Sequence, residues 1–307
     1  MSVKIVVGTR GSRLALAQSE MVAAWLKKAR PNITVSVHTI ETAGDRVSKW
    51  SEVRDETGIF VKEIEEALMR GEIDMAVHSV KDMPAEPPPG LMLASVPDRD
   101  DPRDVFVSRD GTMFDKLPSG AVIGTSSVRR KAQLLNRRSD ISVEDLRGNV
   151  DTRLQKLKEG NLAGTVVAAA GLLRLGLKKK ITGYLPIEWM LPAPCQGAIG
   201  IEVRRDNVIA LDTAFSINDR DAFLCIEAER AFMKYFGAGC RIPVSALAKV
   251  SAGRIQMECA ITEPLGRKCI KVSGDAMAGD SSVLGQQLAR KLLDSGGKEL
   301  AGFSGKI

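Results

Sequence analysis

Several features that mark secreted, membrane-bound or metal-stabilised proteins are missing from this chain of 307 residues. It has no run of 18 or more apolar residues, so we expect no membrane-spanning helix. Its start lacks the basic stretch and apolar segment of a signal peptide. The five cysteines are an odd number without a CxxC pair, and histidine occurs only at His38 and His78. We therefore expect free thiols in a reducing, cytoplasmic compartment and no metal site.

Aromatic residues are also scarce, at 4%, whereas 27% of residues are charged and the net charge is +6. The excess is concentrated between Ser126 and Lys158, where nine basic and four acidic residues give a net charge of +5. Such a segment indicates an anionic partner, either nucleic acid or a small polyanion, although a solvated charged face is the simpler alternative. The lack of interleaved aromatics argues against nucleic acid.

The length and the hydrophobic pattern predict two or three domains. Short apolar runs alternate with amphipathic segments, which favours parallel βαβ units. A polar joint at 97–104 separates two such series, and from Asp219 the pattern changes to that of an α+β unit. The predicted strands are 3–8, 33–40, 73–78, 104–108, 121–125, 141–146, 165–170, 242–250, 254–262 and 268–274. Helices are predicted from Ser12, over about 59–70, from Ser126 and Val150, and over about 219–235 and 280–294.

Arginines recur near the ends of predicted strands. In GTSSVRR (124–130) a strand runs into serines and then into Arg129 and Arg130 at a helix start, a place where free backbone N–H groups bind anions. LRGNVDTR (146–153) repeats the arrangement with Arg147 and Arg153, and Arg10 and Arg174 occupy comparable positions. Strand carboxyl ends line the ligand crevice of open α/β sheets, so these arginines predict a cleft that binds several carboxylates. The alternative for GTSSVRR is a serine cap on a helix whose arginines face solvent.

Two further segments carry reactive side chains. In HSVKDMP (78–84), Asp82 follows a predicted strand, where a carboxylate can move protons or stabilise a cation; a turn-forming aspartate is the alternative. In FGAGCRIPV (236–244), Cys240 lies in a predicted loop beside Arg241, a better setting for a nucleophile than a core position. Most free cysteines are small buried hydrophobes, which suits Cys225, Cys259 and Cys269.

Together, these segments resemble the porphobilinogen deaminase family over nearly the whole chain. The matching stretches, in order, are GTRGSRLAL (8–16), FVKEIEEAL (60–68), DMAVHSVKDMP (74–84), GTSSVRR, LRGNVDTRL, AAAGLLRL, PAPCQGAIGIE (192–202) and GAGCRIPV. Any one of them is weak, but eight in the right order are specific.

The resemblance implies a transferase that deaminates four porphobilinogen molecules and joins them head to tail into hydroxymethylbilane, in tetrapyrrole and heme biosynthesis. It implies a dipyrromethane cofactor attached to Cys240 by a thioether, with Asp82 as the catalytic carboxylate. Further cofactor-binding positions are Lys81, Thr125, Ser127, Arg129, Arg130, Arg147 and Arg153. The substrate-binding positions are Arg10, Ser12, Arg147, Arg153, Arg174 and Gln196. No metal, membrane or nucleic acid is expected, and the family leans towards monomers.

The family's fold class is α/β: two domains like those of periplasmic binding proteins around a cleft, and a smaller α+β C-terminal domain that carries the cofactor cysteine. The expected domains are 1–98 with 198–217, 99–197 and 218–307. This chain departs from the family at Cys195 and Ala238, where glycine is commoner, and at Thr57, which replaces a lysine in a possible lid at 48–58. The rival hypothesis is a non-catalytic cytosolic module that binds a small polyanion, which would explain the arginines but not Cys240.

Overall fold

The computed structural model describes residues 3–42, 61–237 and 242–300. Its first sheet has five strands in the order β2-β1-β3-β10-β4. Ile5 and Val7 of β1 are completely buried against α1, and Ser12 caps that helix by accepting a hydrogen bond from the N–H of Ala15. The elements are β1 (Val3–Arg10), α1 (Arg13–Ala29), β2 (Ile33–Ile40), α2 (Lys62–Met69), β3 (Met75–Ser79), β4 (Leu91–Arg99) and β10 (Ala198–Arg204).

The second sheet also has five strands, in the order β7-β6-β8-β5-β9. Phe106 and Ile123 are central to its core. Its elements are β5 (Asp104–Ser108), β6 (Val122–Gly124), α3 (Val128–Arg137), β7 (Ser142–Glu144), α4 (Val150–Glu159), β8 (Gly164–Ala168), α5 (Ala169–Arg174) and β9 (Gly183–Tyr184). After β10, α6 (Val208–Phe215) packs on the first sheet.

The C-terminal part is a three-stranded antiparallel sheet covered by two helices. Phe232 and Leu292 of the helices are fully buried against Ile255 and Ile261 of the sheet. Its elements are α7 (Arg220–Met233), β11 (Val244–Ser251), β12 (Arg254–Thr262), β13 (Cys269–Met277), α8 (Ser281–Leu292) and, after a π-helical turn, α9 (Lys298–Leu300). The predicted fold class is confirmed, and no helix in the described ranges is long and apolar enough to span a membrane.

The predicted parallel βαβ units are present, since β1 pairs in parallel with β2 and β3, and β6 with β7 and β8. Both sheets also contain antiparallel strands: β10 lies antiparallel between β3 and β4, and β5 is antiparallel to β8 and β9. The predicted joint at 97–104 is shorter in the structure, because β4 extends to Arg99 and β5 begins at Asp104. Strand β4 was missed because its start follows a proline-rich stretch and its end is charged. The remaining predicted strands and helices lie within a few residues of the observed ones.

Three ionisable side chains are buried together beneath α2: Glu65 on that helix, His78 on β3 and Glu202 on β10. His78 Nε2 lies 3.1 Å from Glu202 Oε2. The other oxygen of Glu202 and one of Glu65 have no hydrogen-bond partner within the described ranges. Burial, and secondly the charge of Glu202, raise the pKa of Glu65 from 4.5 to about 7. Between pH 4.5 and about 7, the folded chain therefore keeps a proton on Glu65, whereas in the unfolded chain this side chain is ionised.

Replacing Glu65 by Gln is expected to remove a pH-dependent loss of stability. An unfolded glutamate ionises near pH 4.5 and Glu65 near 7. The free energy of unfolding should thus fall as the pH rises between these values, by ~3 kcal/mol in total. Urea unfolding from pH 4.5 to 8 should show this fall in the wild type and not in Glu65→Gln. Glu66→Gln, at an exposed position of the same helix, is the matched control; identical pH profiles for wild type and Glu65→Gln would contradict the assignment.

Candidate active site

The two five-stranded sheets place charged side chains against each other across a cleft. Asp82 follows β3 of the first sheet, and Arg153 lies in the first turn of α4 beside the second sheet. The charge of Asp82 acts on the Arg153 guanidinium, as does that of Arg130. The sites predicted at HSVKDMP, GTSSVRR and LRGNVDTR therefore lie near one another, as the rule for strand carboxyl ends indicates.

Lys81 and Asp82 belong to a single 3-10 turn, Val80–Asp82, that follows β3. The Asp82 side chain is exposed, whereas Val80 and Met83 on either side are buried and hold the turn. Lys81 Nζ donates to Gln196 Oε1 at 3.4 Å. Burial lowers the pKa of Lys81 to about 8, against the opposing charge of Asp82. The first sheet thus presents an accessible carboxylate next to a largely desolvated ammonium.

The centre of the site is Asp104, the first residue of β5, which is fully buried. Its carboxylate accepts from Arg129 at 2.7 Å, and from Nε and one amino group of Arg130 at 3.0 and 2.8 Å. Gln196 Nε2 adds a fourth bond at 3.0 Å and also donates to the Pro102 carbonyl. The two arginines hold the pKa of Asp104 far below its usual range, outweighing its burial.

This network corrects the hypothesis that Arg129 and Arg130 face solvent, since both are 5% exposed. Sequence reasoning missed Asp104 as a site residue, although it is the first residue of the predicted strand 104–108. Both buried arginines belong to the basic segment Ser126–Lys158, but their partner Asp104 lies outside that segment. Charge pairing across the fold therefore reduces the positive excess that the local count indicated.

The start of α3 offers backbone and hydroxyl groups beside these arginines. Ser127 caps the helix by accepting a hydrogen bond from the Arg130 N–H, and Thr125 Oγ1 accepts from the Ser127 N–H at 3.2 Å. Ser126 Oγ is buried and has no hydrogen-bond partner in the described part of the chain. A buried hydroxyl at a helix N-terminus is suited to donate to an anion.

Arg147 and Arg153 flank the start of α4, which Asn149 caps. Arg153 Nε donates to the Gly148 carbonyl at 2.8 Å, and burial lowers the pKa of Arg153 to about 10. Arg147 lies within 4.0 Å of Asp145. The site thus contains four cationic side chains and two carboxylates, so its net charge is positive. The cations are Lys81, Arg129, Arg130 and Arg153, and the carboxylates are Asp82 and Asp104.

Arg10, Ser12 and Arg174 lie at the ends of β1, α1 and α5. Arg10 is the last residue of β1, and Ser12 is occupied as the cap of α1. Arg174 ends α5, where it donates to the Gly197 carbonyl next to Gln196 and lies 3.7 Å from Asp100. Its place at a helix end differs from the strand–turn–helix position that the sequence suggested.

The comparisons with known proteins identify the family. A model described as "Porphobilinogen deaminase, dipyromethane cofactor binding domain" matches residues 5–211, and that of the porphobilinogen deaminase C-terminal domain matches 223–294. The chain belongs to the porphobilinogen deaminase family.

Curated members of the family resemble the chain over nearly its full length. The porphobilinogen deaminase of Thermus thermophilus is 47% identical over 96% of this chain and 97% of that protein. That of Pelotomaculum thermopropionicum is 44% identical over 98% and 96%. Among solved structures, the periplasmic VFT2 domain of Bordetella pertussis BvgS has a TM-score of 0.40 and 16% identity over 70% of this chain and 86% of that one.

The cysteines differ in their burial and in whether they lie within the described residues. Cys240 and Ala238 lie outside the described residues, as do Thr57 and the possible lid at 48–58. Cys195 is buried in a left-handed backbone conformation with φ of 64°, and burial raises the pKa of its thiol to about 12. Cys225 and Cys259 are buried as predicted, and Cys269 is half-buried. A thiol as poorly ionised as that of Cys195 is a packing group, not a nucleophile.

Asp104→Asn is expected to destabilise the protein strongly, because it leaves two buried guanidinium groups without a counter-charge. Breaking a buried ion pair in this way costs about 3–5 kcal/mol. The free energy of unfolding in urea at pH 7 measures the effect. Asp140→Asn, which removes the partly exposed partner of Arg138, is the control and should cost no more than about 1 kcal/mol. Equal losses in the two variants would show that Asp104 is not the centre of the network.

Proposed function

We propose that this chain deaminates porphobilinogen and joins four molecules of it head to tail into hydroxymethylbilane, on a dipyrromethane primer attached to Cys240. The observation that carries the proposal is the match of residues 5–211 to the dipyrromethane cofactor binding domain of the family. The cation-rich cleft supports it independently, because pyrroles of this pathway bear acetate and propionate groups.

The residues of the cleft fit such a cofactor. Ser126 Oγ is an unpaired buried hydroxyl at the start of α3, and Lys81 and Arg153 are desolvated cations. Carboxylates would neutralise these cations and accept from that hydroxyl. The proposed cofactor-binding residues are Cys240, Lys81, Thr125, Ser127, Arg129, Arg130, Arg147 and Arg153. When bound, dipyrromethane supplies the free α-carbon to which the first substrate unit is joined.

Arg129 and Arg130 act within this proposal mainly as organisers. Each gives donors to Asp104, so their forks are held in place, and Arg129 is further fixed by the Leu191 carbonyl. Their combined charge exceeds that of Asp104 by one unit and remains directed at the start of α3. A positive field that is set before a ligand arrives needs no rearrangement to bind anions.

Asp82 is the proposed catalytic residue. It is exposed to the cleft in a turn whose flanks are buried, so its carboxylate is accessible and its backbone is fixed. There it can stabilise the positive charge that develops on the substrate when ammonia leaves, and move protons to and from the pyrrole nitrogen. Substrate carboxylates would be bound by Arg10, Ser12, Arg147, Arg153, Arg174 and Gln196.

The rival hypotheses are less well supported. A non-catalytic polyanion-binding module accounts for the arginines but not for the match to both family domains. A nucleic-acid binder would present its cations to solvent, whereas Arg129 and Arg130 are buried around Asp104.

We further propose domains 1–98 with 198–217, 99–197 and 218–307, a cytoplasmic location and a monomeric state. The pairing of β10 with β3 and β4 supports the assignment of 198–217 to the first domain. Cytoplasm and monomer rest on the free cysteines and on the family.

Denatured intact mass tests the proposed cofactor. The purified wild type should carry the added mass of two deaminated porphobilinogen units, because the thioether survives unfolding. Cys240→Ser should have the bare mass, and Cys269→Ser, which changes a thiol outside the site, should keep the adduct. A bare wild type that stays bare after incubation with porphobilinogen would support the polyanion-binding module instead.

Asp82→Asn should cut turnover by at least ~10², the loss expected for a positioned acid–base group. Asparagine keeps the shape of the side chain, so the adduct mass and the unfolding temperature should remain near those of the wild type. Steady-state product formation measures the effect. Glu86→Gln, at an exposed acid paired with Lys234, is the control and should retain wild-type turnover. Turnover of Asp82→Asn close to wild type would refute its role.

A further inference from the structure

Gln133, in the middle of α3, joins three parts of the molecule through one buried amide. Its Oε1 accepts from the Leu191 N–H at 2.8 Å. Its Nε2 donates to the Leu191 carbonyl at 3.0 Å and to Ser245 Oγ at 3.1 Å. Gln133 and Ser245 are 5% and 0% exposed. A buried amide with this many partners fixes the distance between the groups that it joins.

The first part is the anion-binding start of α3, one turn before Gln133. Arg129 on the same helix also donates to the Leu191 carbonyl, at 2.9 Å, so both side chains converge on one peptide group. The second part is the segment from Leu191 to Gln196, whose last residue contacts Lys81 and Asp104. Gln133 therefore ties the helix of the arginines to the loop that closes the network around Asp104.

The third part is β11. Ser245 is its second residue and follows Cys240 by five positions in the sequence. The strand is tied to the same loop by the Ala246 N–H, which donates to the Pro192 carbonyl at 3.2 Å. Leu191 and Leu247 pack in one apolar cluster beside this bond. The strand that follows Cys240 is thus joined to α3 by the buried Gln133 amide and to the loop 191–196 by the Ala246 N–H.

We propose that Gln133, acting with Ser245, is a positioning residue that sets the distance between β11, the strand that follows Cys240 in the sequence, and the start of α3. The inference rests on the proposed function. A primer attached at Cys240 would have its carboxylates bound by residues at the start of α3, so β11 and that helix end would need a fixed separation. Loss of that separation weakens binding of substrate and transition state alike, which raises KM more than it lowers kcat.

Asn136 is the matched control, because it also joins α3 to the C-terminal part of the chain. Its Nδ2 donates to the Gly266 carbonyl at 2.6 Å, about one turn beyond Gln133. Asn136 is exposed and makes no hydrogen bond to Leu191 or Ser245 in the described part of the chain. A general role in holding the parts together would affect Gln133 and Asn136 variants alike.

The test compares Gln133→Met, Ser245→Ala and Asn136→Ala as purified holoenzymes. Gln133→Met keeps the volume and removes three hydrogen bonds, so KM for porphobilinogen should rise at least about tenfold with a smaller change in kcat. Ser245→Ala should shift KM in the same direction by less, and add nothing in the Gln133→Met background. Asn136→Ala should remain within about twofold of wild type.

Intact mass after brief exposure to substrate gives a second readout. Gln133→Met should accumulate complexes with fewer added units than wild type, because each addition needs the same separation, and Asn136→Ala should match wild type. Gln133→Met behaving like Asn136→Ala in both KM and mass distribution would overturn the inference alone. A wild type without the dipyrromethane mass would overturn the proposed function and this inference with it. If Gln133→Met does not fold, Ser245→Ala decides by the same two readouts.

Discussion

The site depends on one buried carboxylate. Asp104 has no access to solvent, and four hydrogen bonds from Arg129, Arg130 and Gln196 replace its hydration. An unpaired charge at this depth would be prohibitively costly, so the arginines and the loop containing Gln196 must be in place together. Because Asp104 begins β5 and the arginines lie in the first turn of α3, the network fixes the start of β5 relative to that helix.

A second buried carboxylate attaches the C-terminal part to this centre. Glu229 of α7 accepts two hydrogen bonds from Arg99 at the end of β4, and further bonds from the Cys195 and Ala248 N–H groups. Cys195 and Gln196 are adjacent in the chain. The Cys195 N–H donates to Glu229 and the Gln196 side chain donates to Asp104, so the two carboxylate networks share this loop. Polar contacts from all three sheets thus meet on one short loop, at Cys195 and Gln196.

The carboxylates of this protein follow two different regimes. Asp104 and Glu229 are surrounded by donors, whereas Glu202 pairs with the His78 imidazole, and Glu202 and Glu65 each retain a buried oxygen without a hydrogen-bond partner in the described ranges. The first arrangement keeps Asp104 ionised, and the second keeps a proton on Glu65 up to neutral pH. The charges of Arg129 and Arg130 stabilise the ionised form of Asp104, whereas burial and the like charge of Glu202 favour the protonated form of Glu65.

Local sequence determined most of the elements and the residue types of the site. The period of apolar residues located most of the strands and six of the nine helices in the described ranges, serines marked the caps of α1 and α3, and the order of motifs indicated the family. Tertiary structure alone decided the antiparallel course of β5 and β10, the inward direction of Arg129 and Arg130, and the pairing of Gln133 with Ser245. These depend on partners 25 to 128 residues away in the chain, from Arg129 with Asp104 to Val203 with Met75. Hydrophobic period reports which face of an element is buried, but it carries no information on which distant charge or amide will meet that face.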